Sequence, residues 1–399
     1  MNSRPLNYDP LKVVLEYLEP NLRFQLSIRC PSLRKTEKVA PLRLNYLEIG
    51  LDFVTINRTA YHLNVRKEYP DETISSDDDA SPEFDMDEYG ISEGYVPHPI
   101  TPGDIDLGSS RNSTNRTERK CEWNLGIFEE ALELKTQGNP DPEIEQLERG
   151  WQSGGFQLPP DDMNEEQVED IRRECIRSLL RFHPESLQDR IEHLQDVLEP
   201  YHLRRNNILP PFTLKLELCI ERVKGKKRFF YPYTIKLKEA AKRLNTFLFG
   251  GRPVIYTSCF CIPQTRFVIP LPVGFKIRSR MWHLPEDIAP FIDSLKTISD
   301  DASFPLKEIK LEVGGDFLAD LNHEVVRNAE LLTVRLHFQG QHFLPVLLLL
   351  NTRNTKICIM IQWEPPHVND ADLDEIQLFL DNPIKVGTSV SFGIKPWRV

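Results

Sequence analysis

The sequence predicts an α+β protein with a small N-terminal helical unit, a helical middle region and a C-terminal α/β region. Apolar residues recur at helical spacing near the N-terminus, and charged amphipathic segments fill the middle of the chain. Alternating apolar residues then form strand-like stretches in the C-terminal half. A chain of 399 residues, 40% hydrophobic and 27% charged, is long enough for two or three domains.

Residues 1–40 predict two helices, the first opened by Asp9 and Pro10 and the second ended by Pro31. These helices carry apolar residues on two sides, which implies two burial surfaces. Either one side packs in the protein's own core and the other contacts a partner, or both pack internally. The first stripe contains Leu11, Val14, Leu15, Leu18, Leu22 and Leu26, and the second contains Val13, Tyr17, Phe24 and Ile28.

Residues 41–69 predict a β-hairpin, because "FVTIN" and "AYHLNV" flank a turn at Arg58 and Thr59. Residues 70–118 predict an acidic flexible insertion, since thirteen Asp and Glu occur from Glu68 to Asp106 without one Lys or Arg. Outside that stretch the chain has 49 basic and 47 acidic residues. Such a balance argues against a dedicated nucleic-acid-binding protein, which needs clustered positive charge.

Residues 119–205 predict a helical hairpin interrupted at His183 and Pro184. Residues 206–399 predict a partner-binding α/β domain. It starts with a hairpin through Lys224 and Gly225 and continues with a helix that ends at Gly250. The predicted strands that follow are "PVIYTSCF", "FKIRSRMW", "LKEIKLEV", "LLTVRLHF" and "KICIMIQW".

Ile309, Val334 and Ile359 lie 25 residues apart, and Leu306, Ile309 and Leu311 fit the L-x-x-L-x-L phrase of leucine-rich repeats. The strands therefore form either repeat-like strand–helix units or a single closed α/β domain. Stacked units of this kind leave one surface free for a partner.

No pattern of the sequence predicts catalysis, a cofactor or a metal. The chain lacks the nucleotide-binding, nucleophile-elbow and zinc-protease motifs, so we expect that it is not an enzyme. Its seven cysteines show no ligand spacing or disulfide framework. The apolar run Phe343 to Leu350 is too short to span a membrane, and no signal peptide is recognised. These features predict an intracellular protein, cytoplasmic or nuclear.

The opening segment, "PLNYDPLKVVLEYLEPNLRFQLSIRCPSLRKTEKVAPLRLNYLEI", resembles the start of the nematode F-box C protein family. Further similar segments are "FDMDEYG", "TPGDIDL", "YPYTIKLKEAAKRLNTFLFGGR" and "FPLKEIKLEV". The resemblance implies an F-box-like N-terminus, which docks on a Skp-type adaptor of a cullin-type ubiquitin ligase, and an associated C-terminal domain that holds a target protein. The positions that match the adaptor-binding surface are Pro5, Leu6, Val14, Leu15, Tyr17, Leu18, Leu22, Phe24 and Leu26.

Two alternatives remain at this point. The first is a non-catalytic interaction scaffold without a ligase link. The second is a nucleic-acid-binding protein that uses the basic aromatic stretch "VKGKKRFFYPYTIKLKEAAKR", in which cations alternate with rings that stack on bases.

Overall fold

The computed structural model describes residues 8–70, 85–93, 100–108, 114–137, 156–160, 163–264, 268–312, 317–337, 354, 356–363 and 389–396. The chain forms two compact units. The first contains Met1–Asn64, Pro97–Ser110 and Leu216–Val399, and the second contains Val65–Val96 and Arg111–Lys215. The N-terminal helices therefore share a unit with the C-terminal strands.

Ten α-helices occur in the described part of the chain, and their sequence signals match their ends. Pro20 opens the second helix, and the Glu19 side chain accepts a hydrogen bond from the Leu22 amide as its N-cap. The helices are α1 (Tyr8–Tyr17), α2 (Pro20–Arg29), α3 (Arg34–Val39), α4 (Thr114–Thr136), α5 (Glu165–Leu179), α6 (Pro184–Arg205), α7 (Leu237–Phe249), α8 (Ile292–Thr297), α9 (Phe317–Asn322) and α10 (Glu324–Arg327).

Eleven strands form one mixed sheet in the order β13-β12-β11-β10-β9-β7-β1-β2-β3-β5-β6, and β4 pairs with β8 separately. The seven strands from β13 to β1 are parallel, whereas β2 is antiparallel to β1 and to β3. The strands are β1 (Leu42–Ile49), β2 (Phe53–Ile56), β3 (Thr59–Glu68), β4 (Ile105–Asp106), β5 (Thr213–Arg222), β6 (Gly225–Pro232), β7 (Ile255–Cys261), β8 (Val268–Ile269), β9 (Ile277–Leu284), β10 (Glu308–Glu312), β11 (Leu331–His337), β12 (Lys356–Trp363) and β13 (Ser389–Pro396).

These strands confirm the predicted α+β class, both predicted hairpins and the five predicted C-terminal strands. Strand β13 was not predicted from the sequence. Residues 41–69 were predicted as a separate hairpin, whereas β1 lies between β7 and β2 in the large sheet. Strand β1 pairs with β7 although more than two hundred residues separate them along the chain, so local periodicity does not reveal this contact.

The strand registers do not repeat evenly. Val334 lies opposite Ile359, 25 residues later, as the spacing predicted. Ile309 instead lies opposite Leu332, so the step from β10 to β11 is two residues shorter. Because leucine-rich repeats stack equal units, these registers give no support to that interpretation.

A row of apolar side chains runs across the buried side of the sheet. The registers place these residues next to one another on six parallel strands. Five of them are 0% exposed and the sixth is 4% exposed, so the row forms the centre of the first unit's core. Its members are Leu47, Phe260, Trp282, Ile309, Leu332 and Ile357.

A buried array of charged side chains joins the N-terminal helices to helix α7. Arg23 of α2 donates hydrogen bonds from Nε to Glu37 Oε1 at 3.1 Å and from Nη1 to the Pro41 carbonyl at 2.7 Å. Arg252, which follows α7, donates to the same carboxylate and to the carbonyl of Leu248. The side chains of Arg23, Glu37 and Arg252 are each 1% exposed.

Glu37 offsets part of the cost of burying Arg23 and Arg252, whose like charges repel each other. Burial lowers the pKa of Arg23, whereas the carboxylate of Glu37 opposes the shift. The two guanidinium groups share one carboxylate, so their remaining donors are satisfied by backbone carbonyls. Removing one partner of such an array leaves an uncompensated buried charge.

Segments 85–93 and 100–108 of the predicted flexible insertion are folded. In the first unit, the turn from Thr101 to Asp104 is bound by two lysines of α7, with Asp104 at 2.9 Å from Lys238 Nζ and 2.7 Å from Lys242 Nζ. Burial disfavours ionisation of Asp104, but hydrogen bonds from Lys242, Thr101 and Lys238 outweigh it and lower the pKa of the carboxyl group. Residues 71–84, which include six of the thirteen acidic residues of this stretch, lie outside the described part.

The described residues of the second unit include three helices, α4, α5 and α6, where a helical hairpin was predicted for residues 119–205. Helix α4 packs against both α5 and α6. The predicted interruption at His183 and Pro184 separates α5 from α6, and the His183 side chain caps α6 by accepting from the Glu185 amide. The core of this unit consists of Ile127, Phe128, Ala131, Ile176, Leu179, Phe182, Leu187, Ile191 and Leu194.

We predict that Glu37→Gln lowers the free energy of unfolding by about 3–5 kcal/mol, because it leaves two buried guanidinium groups without a countercharge. Glu16→Gln is the control, since Glu16 makes a 3.5 Å ion pair with the 61% exposed side chain of Arg43. We expect this variant to lose less than about 1 kcal/mol. Chemical denaturation followed by circular dichroism measures both, and equal losses would contradict the role of the buried array.

Lys38 of α3 provides a second prediction, on pH. Its amino group donates to the Phe247 carbonyl, and burial lowers its pKa from 10.5 to about 7, with Arg252 adding to the shift. Between these two values the unfolded chain binds more protons at Lys38 than the folded chain does, so this group makes the free energy of unfolding rise with pH. It contributes no slope below about pH 7, where both states are protonated.

We therefore expect Lys38→Met to reduce the rise in the free energy of unfolding between about pH 7 and 10. Lys35→Met, at an exposed position of the same helix, controls for the loss of one cation. Denaturation curves at several pH values measure the slope. A Lys38→Met slope equal to that of the wild-type protein would show that Lys38 does not titrate in this range.

Candidate functional site

One side of the central parallel strands is accessible. Arg43 of β1, Tyr256 of β7 and Arg278 of β9 lie side by side in register. Their side chains are partly or fully exposed, whereas Phe260 and Trp282, on the opposite side of the same strands, are buried. We call the side that carries Arg43, Tyr256 and Arg278 the open face.

The pairing of these three strands is interrupted at equivalent places. Leu44 pairs with Thr257, but the next registered pair is Tyr46 with Cys259, so Asn45 and Ser258 are skipped. Strands β7 and β9 skip Ser258 and Arg280 in the same way. At the interruption the Thr257 hydroxyl donates to the carbonyl of Cys259, and the Ser279 hydroxyl donates to that of Met281, both at 2.7 Å.

A cavity of about 460 Å³ opens at this interruption. Residues from three strands and from the connection between β9 and β10 form its wall. Four of them are cationic, and the lining contains no Asp or Glu. The lining residues are Arg43, Leu44, Asn45, Tyr256, Thr257, Ser258, Arg278, Ser279, Arg280, Ala302, Ser303, Pro305 and Lys307.

Tyr256 orients two of the guanidinium groups. Arg43 lies 4.9 Å and Arg278 lies 5.4 Å from the centre of the Tyr256 ring. Arg278 also donates from Nη2 to Asp300 Oδ1 at 3.0 Å. Cation–π contacts and a carboxylate together restrict the side chains of these arginines.

Farther along the open face, a cysteine, a histidine and a glutamate lie next to one another on three neighbouring strands. Cys261 Sγ is 3.6 Å from His283 Nδ1, and His283 Nε2 is 2.8 Å from Glu312 Oε1. Arg335 donates to the same Glu312 oxygen at 3.1 Å. This order of thiol, imidazole and carboxylate is the one in which cysteine nucleophiles are activated.

The environment of Cys261 prevents that activation. The residue is 3% exposed, and burial raises the pKa of its thiol to about 12, with the carboxylate of Glu48 adding to the shift. The thiol is therefore protonated at neutral pH, and its Sγ donates to Glu48 Oε1 at 3.8 Å and lies 3.6 Å from His283 Nδ1. A thiol held protonated by burial is a poor nucleophile, and the contacts of this cluster connect neighbouring strands.

Sequence analysis missed both arrangements. Arg43 is more than two hundred residues from Tyr256 along the chain, and Cys261 is 22 residues from His283. Only the strand order brings them together. The alternation of polar and apolar residues within each strand was visible, but it does not show which strands are neighbours.

The structure separates the predicted adaptor-binding residues into three groups. Leu15 and Phe24 are buried, at 1% and 3% exposed, and the Phe24 ring lies 5.8 Å from Arg252. Leu18 and Leu26 are half-buried, and Pro5 and Leu6 lie outside the described residues. The exposed members are Val14 at 44%, Tyr17 at 86% and Leu22 at 43%.

Helix α2 uses its inner side for packing within the first unit. Asn21 donates to the Ile56 carbonyl at 3.2 Å and accepts from the Tyr61 hydroxyl at 2.8 Å. The outer side of α1 remains exposed, where Val13 is 55% accessible beside Val14 and Tyr17. The predicted division into two apolar surfaces was wrong in its members, because Val14 of the first stripe is 44% exposed and Phe24 of the second stripe is 3% exposed.

The basic hairpin of β5 and β6 has an exposed aromatic stretch, because Phe229, Phe230 and Tyr231 are 43%, 38% and 49% exposed. The reason is its position, because β6 is the last strand of the sheet. Arg228 pairs with Glu217, and Lys226 pairs with Glu221, which reduces the positive charge offered to a nucleic acid.

Comparison with known proteins assigns no activity. Residues 236–396 match a family model described as a domain of unknown function (DUF3557). This domain begins just before α7 and contains every C-terminal parallel strand, including β13. No curated protein and no solved structure matches the chain.

The DUF3557 match covers two of the three strands that form the cavity. Tyr256 and Arg278 lie inside it, and Arg43 lies outside it. Within the described ranges, no group of three or more His, Cys, Asp and Glu is placed to bind a metal ion. The described helices also include none that is long and apolar enough to cross a membrane.

We predict that Cys261 resists alkylation in the folded protein. At a pKa of about 12, roughly one thiol in ten thousand is ionised at pH 8. Iodoacetamide at pH 8 should therefore modify the exposed Cys30 and leave Cys261 unmodified, as measured by peptide mass spectrometry. Both should react in denaturant. Modification of Cys261 at the rate of Cys30 in the native protein would contradict the burial argument.

Proposed function

We propose that this protein is an F-box-like substrate-recognition protein that links a target protein to a cullin-type ubiquitin ligase through a Skp-type adaptor. It performs no catalysis in this role. The observation that supports adaptor docking best is the exposed apolar side of α1, where Tyr17 is 86% accessible. The similarity of the opening segment to the nematode F-box C family gives this surface its proposed partner.

The spacing of the exposed residues supports a single contact surface. Val13 and Tyr17 are four residues apart and Val14 and Tyr17 are three apart, so all three lie on one side of α1. Large aromatic side chains contribute most to protein interfaces when they become buried. An exposed Tyr flanked by two Val residues therefore provides an anchor with an apolar surround.

Helix α1, which carries this surface, packs against α3, and the buried array holds α3 in place. Glu37 and Arg23 fix α3 and α2 to each other and to the start of β1 through the Pro41 carbonyl. A surface that is already ordered loses little conformational entropy on binding. The docking residues would then be Val13, Val14 and Tyr17, while Leu15 and Phe24 would act by maintaining the fold.

The experiment is co-purification of the full chain with a Skp-type adaptor. The test variant is Val14→Asp with Tyr17→Asp, since both positions are exposed. The matched control is Val223→Asp with Tyr231→Asp, which makes the same changes at exposed positions of the β5–β6 hairpin. Leu15 is unsuitable because it is 1% exposed, so its substitution would test folding.

We expect the wild-type chain and the control to retain the adaptor. The test variant should weaken binding by about 2 kcal/mol or more, which is about thirtyfold in Kd. Circular dichroism should show the same fold for all three proteins. The proposal fails if the wild-type chain retains no adaptor, or if both double variants lose it equally.

A scaffold without a ligase link is the second candidate function. The accessible cavity on the open face favours it, because that site needs no adaptor to bind a ligand. Loss of adaptor binding together with retained ligand binding at the cavity would support the scaffold.

A further inference from the structure

We propose that the cavity on the open face is a binding site for a phosphate monoester. The proposal is independent of adaptor docking, since none of the lining residues belongs to α1, α2 or α3. The proposal depends on the charge of the residues that line the cavity, on the hydrogen-bond donors among them and on the size of the cavity.

The residues that line the cavity favour an anionic ligand. Arg43, Arg278, Arg280 and Lys307 surround the cavity, and the carboxylates that pair with three of them are not lining residues. Arg43 is bound by Glu16, Arg278 by Asp300 and Lys307 by Glu330. A concave site with one sign of charge concentrates ligands of the opposite sign.

Arg280 is the cation best placed to bind such a ligand. Within the part of the chain that the structure describes, it has no ion pair, and it is exposed at the place where the strand pairing is interrupted. Its backbone is fixed because its carbonyl accepts a hydrogen bond from the Lys307 amide at 2.9 Å. A guanidinium group offers parallel N–H donors that match two phosphate oxygens.

Neutral donors complete the site. Ser258 is skipped on β7, the strand beside Arg280, and Asn45 is skipped on β1, the next strand; both are exposed and line the cavity. The floor is rigid, since Thr257, Ser279 and Ser303 are buried. The Ser303 hydroxyl also accepts from the Ser279 amide at 3.1 Å. Cationic and neutral donors in one concave lining favour a compact group with several acceptor oxygens, which describes a phosphate dianion.

The size of the cavity indicates a phosphate attached to a larger group. About 460 Å³ lies within the usual range of small-ligand sites and exceeds the volume of an inorganic phosphate ion. The attached group could belong to a small molecule or to a phosphorylated peptide, and both present the same phosphate monoester. The experiment must therefore separate these two sources.

The probe is a fluorescein-labelled glycine-rich pentapeptide with a central phosphoserine, measured by fluorescence anisotropy with the full chain. The unphosphorylated peptide is the first comparison, and unlabelled phenyl phosphate is the competitor. Arg280→Gln is the test variant. Arg243→Gln is its matched control, because Arg243 is 66% exposed on α7 outside the cavity and its loss changes the net charge equally.

We expect the phosphorylated peptide to bind at least about tenfold more tightly than the unphosphorylated one. The unphosphorylated peptide lacks the phosphate group and therefore its charge-assisted hydrogen bonds. Arg280→Gln should weaken binding by at least about tenfold, whereas Arg243→Gln should change it by less than about twofold. Competition by phenyl phosphate would support a site for small phosphate monoesters. Binding of the peptide without such competition would support a site for phosphorylated peptides.

Three results would overturn the proposal. One is equal binding of both peptides. Another is an equal effect of the two arginine variants, which would indicate general attraction between charges. The third is that the chain binds a single-stranded oligonucleotide but neither the phosphoserine peptide nor phenyl phosphate, and that Arg280→Gln abolishes the oligonucleotide binding. That result would indicate a polyanion site that reads the nucleic-acid backbone.

Discussion

The shared burial of Glu37 between Arg23 and Arg252 is the interaction on which the first unit depends. It connects three parts of the chain that are distant in sequence, namely α2, α3 and the turn after α7. Charges this deeply buried are tolerated only when each has a countercharge and its other donors are satisfied. The backbone carbonyls of residues 37, 40, 41 and 248 meet that requirement. The N-terminal helices are therefore built into the same unit as the C-terminal sheet.

This attachment divides the N-terminal helices by role. Inward residues such as Leu15 and Phe24 belong to the core, whereas Val13, Val14 and Tyr17 face outward. The sheet shows the same division, since one side holds the apolar row containing Trp282 and the other holds exposed cationic residues. An adaptor surface on α1 and a ligand cavity on the open face would thus share one rigid support. Binding at either surface would require no rearrangement of the core.

The candidate site shows how far a single sequence can be interpreted. Helical periodicity showed that α1 carries apolar residues on more than one side, because 3.6 residues per turn determines which side chains share a side. It did not show which of them are exposed, since Val14 and Leu15 were assigned to one stripe and only Leu15 is buried. The cavity did not follow, since Arg43, Tyr256 and Arg280 converge through strand order and through an interruption of the pairing. The thiol, imidazole and carboxylate of Cys261, His283 and Glu312 were equally hidden. Their chemistry was also set by burial, which turns an arrangement typical of catalysis into a structural cross-link.

The sequence by itself determined the α+β class, the two hairpins, the N-terminal helices, α7 and most parallel strands. Each of these elements is indicated by apolar periodicity, or by a proline or a glycine, within a stretch of about twenty residues. Only the tertiary structure decided that β1 lies beside β7, that segments 85–93 and 100–108 are folded, and that the hairpin aromatics are exposed on an edge strand. These features arise from contacts between distant segments, whose energies depend on what each surface finally packs against. A local sequence pattern does not determine which distant segments come into contact.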